Sequence, residues 1–528
     1  MPSNTLFAVL GWLAVSPAVP SAEAYRILGI FPVQSRSHNI MFKATMQALV
    51  DSGHEVVDLS PFPLKTPRAN YTDVDISAEL PSMVNSMTFN DMSDLSRKGL
   101  FDMIRDRGGA NLCRKVFEMK QFQDIIRGAY GKFDVVFTEI CCSDCWTVVA
   151  HKLQLPLISI ATQPDFTQIH DRVGSVNNPS YLVTPFEPLV GKMGLWERCR
   201  NVLALLTSMW LDKWWLQYPS DEVLRELFGE DTPPISELVR NTSLVMVNGH
   251  VSVNPARPVN PNVIEVLGIH LRDKPSVNNI PSAIRQWMDD AEHGVVYFSL
   301  GSQVRSDSLP KATIEALLAA FAALPQRVLW KYEDAILQPP PNVKIAPWLP
   351  QSDVLAHPKV LVFMTHGGLM GTTEALSLGV PMIGIPIFAD QGPNILQYAE
   401  LGIARELSHR HISKDTVLAT IREFTTSNNN ALRYRERAKE IAARFADRPR
   451  SAAREAVWWT EYVVRNQGAR HLRPLGADLP LHQYLLLDVV GVFLAAAAAV
   501  LLVFVAALKK VLRLVSPKQP PRQKRKTQ

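Results

Sequence analysis

A chain of 528 residues has room for roughly two to four domains, and 47% apolar against 20% charged residues exclude a disordered chain. The formal net charge of +5 invites a nucleic-acid partner, but residues 509–528 alone contribute +8 and leave −3 for everything before them, so a nucleic-acid partner is excluded.

In chain order, TLFAVLGWLAVSPAVPSAEA carries an apolar core and ends in Ala22-Glu23-Ala24, so residues 1–24 read as a secretory signal peptide even though the n-region before the apolar core has no Lys or Arg. From Tyr25, YRILGIF reads as a buried strand, with a helix pattern from His38 to about Asp51, a stop at Gly53 and a second strand, EVVDLS. That β-loop-α-β order opens a parallel sheet. Residues 64–130 hold Pro67, Asn70 and Pro81 and predict loops and helices at the sheet edge. The D-x-D pair Asp73-Val74-Asp75 falls there and reads as solvated loop.

FDVVFTE (133–139) and LPLISI (155–160) continue the strand alternation around a Cys-rich turn. Trp196, Trp210, Trp214 and Trp215 lie within residues 193–218, an aromatic helix that lines a pocket, meets a membrane interface or packs as core. SLVMVNG and VIEVLGI close the first half, and the Pro/Asn-rich residues 271–281 read as a linker. The second half opens with GVVYFSLGS (294–302). It continues through a helix over 309–324, the strands RVLWKY and NVKIAP, and helices near 412–424, 431–445 and 451–465. Each half is therefore expected to be a doubly wound parallel α/β sheet.

Residues 489–508 are apolar without a charge, about 30 Å as a helix, enough for one membrane crossing. The basic tail behind them stays cytosolic by the positive-inside bias, which places the preceding chain across the membrane. The last five residues fit a dibasic K-x-K-x-x retrieval pattern. The sequons at Asn70 and Asn241 then face the lumen. The five cysteines, Cys113, Cys141, Cys142, Cys145 and Cys199, are an odd number, and their spacing sets neither a disulfide nor a zinc site.

The most informative stretch runs from Trp348 to Gln391. A strand, VLVFMT, runs into His366-Gly367-Gly368 and a helix pattern from Leu369 stopped by Gly379. A helix start behind glycines offers free N–H groups and the positive dipole end to a phosphate. Around it stand Trp348 and Gln351 before the strand, Gly371 and Glu374 in the helix, and Asp390-Gln391 at the close, over 44 residues.

This W-x-P-Q, H-x-G, helix-Glu, D-Q set resembles the signature box of the UDP-glycosyltransferases, and nearly the whole chain is similar to the animal, membrane-bound branch. The resemblance implies two Rossmann-like domains facing a cleft (GT-B type) and one C-terminal transmembrane helix. The acceptor domain would span 25–275, the donor domain 286–447, a returning helix and membrane-proximal segment 448–488, the transmembrane helix 489–508 and the tail 509–528. It implies stacking of Trp348 on uracil, contact of Gln351 with the nucleoside, and a grip of Glu374 on the ribose hydroxyls. Ser302, His366, Gly368, Gly371 and the helix start would bind the pyrophosphate, and Asp390 and Gln391 the sugar. His366 would act as a protonated or N–H-donating group, with no metal or resident cofactor.

His38 takes the place of the family's base, suited by its pKa to remove a hydroxyl proton near neutral pH. Its carboxylate partner is Asp144 by residue type or Glu139 by position, with the preference given to Asp144. The implied activity is inverting hexose transfer from UDP-glucose, or alternatively UDP-glucuronate, to small lipophilic acceptors in the endoplasmic-reticulum lumen, with room for a homo-oligomer. A membrane-tethered binding protein of the same fold without catalysis is the competing reading. A nicotinamide enzyme is disfavoured, because no G-x-G-x-x-G follows the first strand.

Overall fold

The computed structural model describes residues 24–515 except 94, 273, 427 and 428; residues 1–23 of the signal-peptide pattern and the end of the tail, with its K-x-K-x-x pattern, lie outside the described residues. In the first half, β1 (Arg26–Ile30), β2 (Glu55–Ser60), β3 (Tyr71–Asp75), β4 (Val135–Ile140), β5 (Leu157–Ala161), β6 (Thr242–Val247) and β7 (Val263–Glu265) form one sheet ordered β3-β2-β1-β4-β5-β6-β7. In the second, β8 (Val295–Ser299), β9 (Arg327–Lys331), β10 (Val343–Ala346), β11 (Val360–Thr365), β12 (Met382–Gly384) and β13 (Ala404–Glu406) are ordered β10-β9-β8-β11-β12-β13. Every pairing in both sheets is parallel.

Parallel neighbours need crossovers, and the crossover helices bury both sheet faces, which is why the central strands read as mostly apolar runs. All six residues of β4 and all five of β8 are buried. The period of two splits them between faces. Leu28, Val57 and Val136 join Phe117 and Trp146 on one face of the first sheet, while Ile27, Val56 and Phe137 join Phe42 on the other. The helix Ala452–Arg465 returns from the second half to that latter core, inserting Ala452, Ala456, Val457 and Val463. In the opposite direction Met87, Phe89 and Met92 are buried in the core of the second sheet, and Met87 pairs with Val304 in a parallel bridge. The two halves thus exchange segments.

One local expectation is corrected, and two questions that the sequence left open are answered. Asp73-Val74-Asp75 is not loop: it lies in the edge strand β3, where the buried Val74 anchors it, and Asp73 accepts hydrogen bonds from Lys43 Nζ at 2.7 Å and the Leu64 N–H at 3.1 Å. Asp73 is spent on an ion pair that ties the edge strand to the helix Arg36–Asp51, and Asp75 accepts from the Ser77 N–H at 2.8 Å. The cysteines, unassigned from spacing, yield a Cys113–Cys145 disulfide and leave Cys141, Cys142 and Cys199 free. Of the clustered tryptophans, Trp196, Trp210 and Trp214 stand exposed on the helix Leu195–Leu211 and its π-helical continuation Asp212–Gln217, so core packing does not describe them. Trp215 is half-buried and donates to Asp102.

The described residues through Arg473 form one compact unit, and those from Pro474 a second. The second contains the helix Leu487–Val515, 29 residues and wholly exposed. At roughly 44 Å it is long and apolar enough to cross a bilayer, and it extends at both ends beyond the apolar run 489–508.

Candidate active site

In open α/β sheets ligands gather outside the strand ends where the winding reverses direction. The first sheet reverses between β1 and β4, the second between β8 and β11. Both points open into one cavity of about 830 Å³ between the halves.

On the first side, β1 leads into the helix Arg36–Asp51, whose first turn carries His38, while β4 ends Thr138-Glu139-Ile140 beside it. The register pairs Ile30 with Thr138, so Glu139 follows directly at the carboxyl end of the sheet. His38 Nδ1 and Glu139 Oε1 are 2.5 Å apart. Burial works to lower the His38 pKa, but the charge and hydrogen bond of Glu139, with Asp390 beyond, outweigh it and raise it above 6.5. The other oxygen of Glu139 is buried and has no partner among the described residues.

Asp144 is placed elsewhere, which corrects its assignment as the partner of His38. Its carboxylate pairs with Arg172, whose side chain is fully buried and reaches Ser159 Oγ at 3.3 Å and Thr242 Oγ1 at 3.4 Å. The Cys-rich turn carries Asp144 past the strand end, where the disulfide at Cys145 fixes the next residue. Burial raises its pKa, and Arg172 opposes that rise.

On the second side, β11 runs through His366-Gly367-Gly368 into the helix Leu369–Ser377, whose start has no side-chain cap. Gly367 has φ +91°, and a Cβ there would lie 2.7 Å from Ile395 Cγ1, so the turn requires glycine. The His366 ring lies between Gly301 and Gly368: a Cβ on either would come within 2.5 Å of it. Burial, aided by the Lys331 charge, lowers its pKa to about 4. At that pKa the imidazole is neutral near pH 7 and keeps one N–H to donate.

Glu374 accepts from Gln351 Nε2 at 2.6 Å and Ser352 Oγ at 2.7 Å. Burial raises its pKa against the pull of both bonds. Gly371 faces Gln351: a Cβ there would meet its Nε2 at 2.9 Å, so this glycine makes space for Gln351. Trp348 is 48% exposed at the cavity wall, with the Arg36 guanidinium of the first half 4.6 Å from its ring centroid. Asp390 accepts from Asn394 Nδ2 at 2.7 Å. Burial raises its pKa against hydrogen bonds from Gln163 and Asn394 and the charge of His38. Gln391 accepts through Oε1 from the N–H groups of Ile387 (2.9 Å) and Phe388 (3.2 Å), and this buried side chain lines the cavity. Ser302 lines the cavity, and its carbonyl accepts from the Asn85 N–H at 2.9 Å.

All twelve expected residues line this cavity except Glu139 and Asp144, the first of which reaches it through His38. Reasoning from sequence missed Ser352, Arg36, Gln163 and Asn394. Ser352 adjoins Gln351 and Asn394 lies one helical turn beyond Asp390, so spacing held a signal for both. Arg36 and Gln163 act across the cleft, which no local pattern shows. Leu100, Phe101, Ile104, Phe166 and Phe186 make the first-half wall apolar.

Residues 27–519 match the family model described as UDP-glucoronosyl and UDP-glucosyl transferase. The chain is 37% identical to UDP-glucosyltransferase 2 of Dactylopius coccus over 493 residues, 92% of each chain. It is 32% identical to UDP-glucuronosyltransferase 2B15 of Rattus norvegicus, over 94% of this chain and 95% of the relative. Among solved structures it resembles a UDP-glucosyltransferase of Polygonum tinctorium with TM-score 0.55 at 16% identity, covering 84% of this chain and 99% of that one. A UDP-glucose: anthocyanidin 3-O-glucosyltransferase in complex with UDP gives 0.54 at 16%, covering 84% and 100%. These structures share the fold.

Proposed function

This chain belongs to the UDP-glucoronosyl and UDP-glucosyl transferase family, and from that premise we propose that it transfers a hexose, with inversion, from UDP-glucose to a hydroxyl of small lipophilic acceptors. The observation that carries the proposal is the His38–Glu139 pair facing Asp390 across one cavity.

In the proposed step His38 takes the acceptor's hydroxyl proton as that oxygen attacks the anomeric carbon. The bond from that carbon to the diphosphate breaks, and its electron pair leaves on UDP; a single displacement inverts the centre. Glu139 holds the His38 tautomer and stabilises the imidazolium that forms. The start of the helix Leu369–Ser377 and the neutral His366 meet the charge that develops on the leaving group, so the reading needs no metal or resident cofactor. Glu374, held by Gln351 and Ser352, takes the ribose hydroxyls, Trp348 takes uracil, and Asp390 with Gln391 Nε2 takes the sugar.

The insect relative named as a UDP-glucosyltransferase supports glucose as the donor, with glucuronate second on the strength of the mammalian relative. The apolar first-half wall supports a lipophilic acceptor. The apolar helix, the exposed sequon residues Asn70 and Asn241, and the Cys113–Cys145 disulfide support a single-pass enzyme with its catalytic halves in the endoplasmic-reticulum lumen. The test incubates membranes carrying the protein with radiolabelled UDP-glucose or UDP-glucuronate and a panel of phenols, beside His38→Ala. Product from UDP-glucose that is lost in His38→Ala supports the proposal, and full activity in His38→Ala refutes the mechanism.

A further inference from the structure

Beside His38 and Glu139, just past the end of β4, stand two thiols, Cys141 and Cys142, that the transfer reaction does not use. The Sγ atoms of Cys141 and Cys142 lie 2.9 Å apart, and both residues line the cavity. His38, Glu139 and Cys141 each bring one potential ligand atom within 4.8 Å of the others. Glu139 is 1% exposed, and its second carboxylate oxygen has no partner among the described residues, so a buried acceptor is left unsatisfied beside an imidazole and a thiol. An acceptor in that state is costly unless something fills its coordination.

We propose that His38, Glu139 and Cys141 form an inhibitory binding site for a zinc-like divalent cation. Imidazole nitrogen, carboxylate oxygen and thiolate sulfur are the three ligand types of tetrahedral zinc. With zinc bonds of about 2.0–2.3 Å, tetrahedral ligands stand about 3.3–3.7 Å apart, so small rotations of the half-buried His38 and Cys141 side chains close the present set. The fourth position opens to water or to Cys142. On binding, Cys141 gives its thiol proton to solvent, as coordinated thiols do. His38 coordinates through Nδ1 as the neutral imidazole: the cation replaces the proton shared with Glu139, and the ring hydrogen moves to Nε2. No electron transfer is involved. With the cation on Nδ1 the neutral imidazole carries its hydrogen on Nε2, the nitrogen that would accept the acceptor's proton, so transfer stops until the metal leaves. The inhibition rests on the base role proposed for His38; the binding does not.

The test uses the purified full chain carrying Cys199→Ser, which removes the exposed thiol, titrated with Cd²⁺ alone while the thiolate-to-cadmium charge-transfer absorbance is followed. In parallel, glycosyl transfer is measured with and without Zn²⁺, each protein being compared with itself, and EDTA is then added. The expected result is a band that saturates at one equivalent, Zn²⁺ inhibition reversed by EDTA, and both effects at least about tenfold weaker in Cys141→Ser. An unchanged band and unchanged Zn²⁺ sensitivity in Cys141→Ser overturn the site. Should that variant fail to fold, His38→Gln keeps both thiols and is expected to bind Cd²⁺ at least about tenfold more weakly; equal affinity overturns the ligand set. A cadmium site present in a His38→Gln enzyme of full activity would refute the base role and leave a metal site at the thiols, which separates the two failures.

Discussion

The imidazole of His38 and the carboxylate of Glu139, 101 residues apart in sequence, meet at 2.5 Å where the first sheet reverses its winding. Burial alone would lower the His38 pKa; Glu139 overrides it and Asp390 adds to the rise. A base works only unprotonated, so activity is lost as pH falls through a value above 6.5. The kcat/KM profile should therefore show an acidic limb above that value. Glu139→Gln removes the main raising influence and leaves burial, so the limb should move to lower pH while kcat falls about 100-fold or more. A pH profile of both proteins checks this; an unmoved limb assigns it to another group.

Asp144 answers to a different test. Asp144→Asn strips the partner from the fully buried Arg172, and breaking a buried pair from one side costs about 3–5 kcal/mol. The variant should lose that much stability in urea denaturation, while kcat per folded molecule stays within a few-fold of wild type. A large kcat loss at unchanged stability would return Asp144 to the catalytic role.

At the donor end, Glu374 is held by Gln351 and Ser352, and its charge is the element that two ribose hydroxyls would use. Glu374→Gln should raise the KM for the UDP-sugar about 10–100-fold with kcat little changed, as expected when binding common to ground and transition states is removed. Ser352→Ala, which removes one neutral donor, should raise it only a few-fold. Titration of UDP alone should give the same ranking; equal affinities across the three proteins would place the ribose elsewhere.

What the sequence made legible follows from how local each signal is. Strands β1, β4, β8 and β11 were readable because burial on both faces writes them as mostly apolar runs, and the turn at Gly367 because its φ admits little but glycine. The donor residues sit on one continuous strand-turn-helix stretch, so their spacing is nearly their geometry. The partner of His38 was misassigned because it depends on register across two strands and on where the Cys-rich turn sends the chain; residue type favoured Asp144, and Arg172 had already claimed it. Edge strand β3 escaped for a similar reason, since its support comes from Lys43 and a parallel neighbour rather than from its own pattern. The contacts of Arg36 with Trp348 and of Met87 with the second core belong to the meeting of the halves, which no window of sequence contains.

Gly368 gives the sharpest test of His366. Its φ of −64° and ψ of 134° suit any residue, so Gly368→Ala introduces no backbone strain. Its new Cβ would nevertheless lie 2.4 Å from His366 Nε2, and Gly301 blocks retreat on the other side, so the ring must leave its place. If the neutral imidazole donates to the diphosphate, Gly368→Ala and His366→Ala should each weaken UDP binding by about tenfold, the worth of one hydrogen bond to a charged group. Because both act on the same donor, their effects should not add: Gly368→Ala in the His366→Ala background should cost almost nothing further. With the His366 pKa at about 4, this contribution should also stay constant between pH 5.5 and 8. Additive losses in the double variant would mean that the glycine serves the phosphate through its own backbone, and that His366 is there to shape the turn.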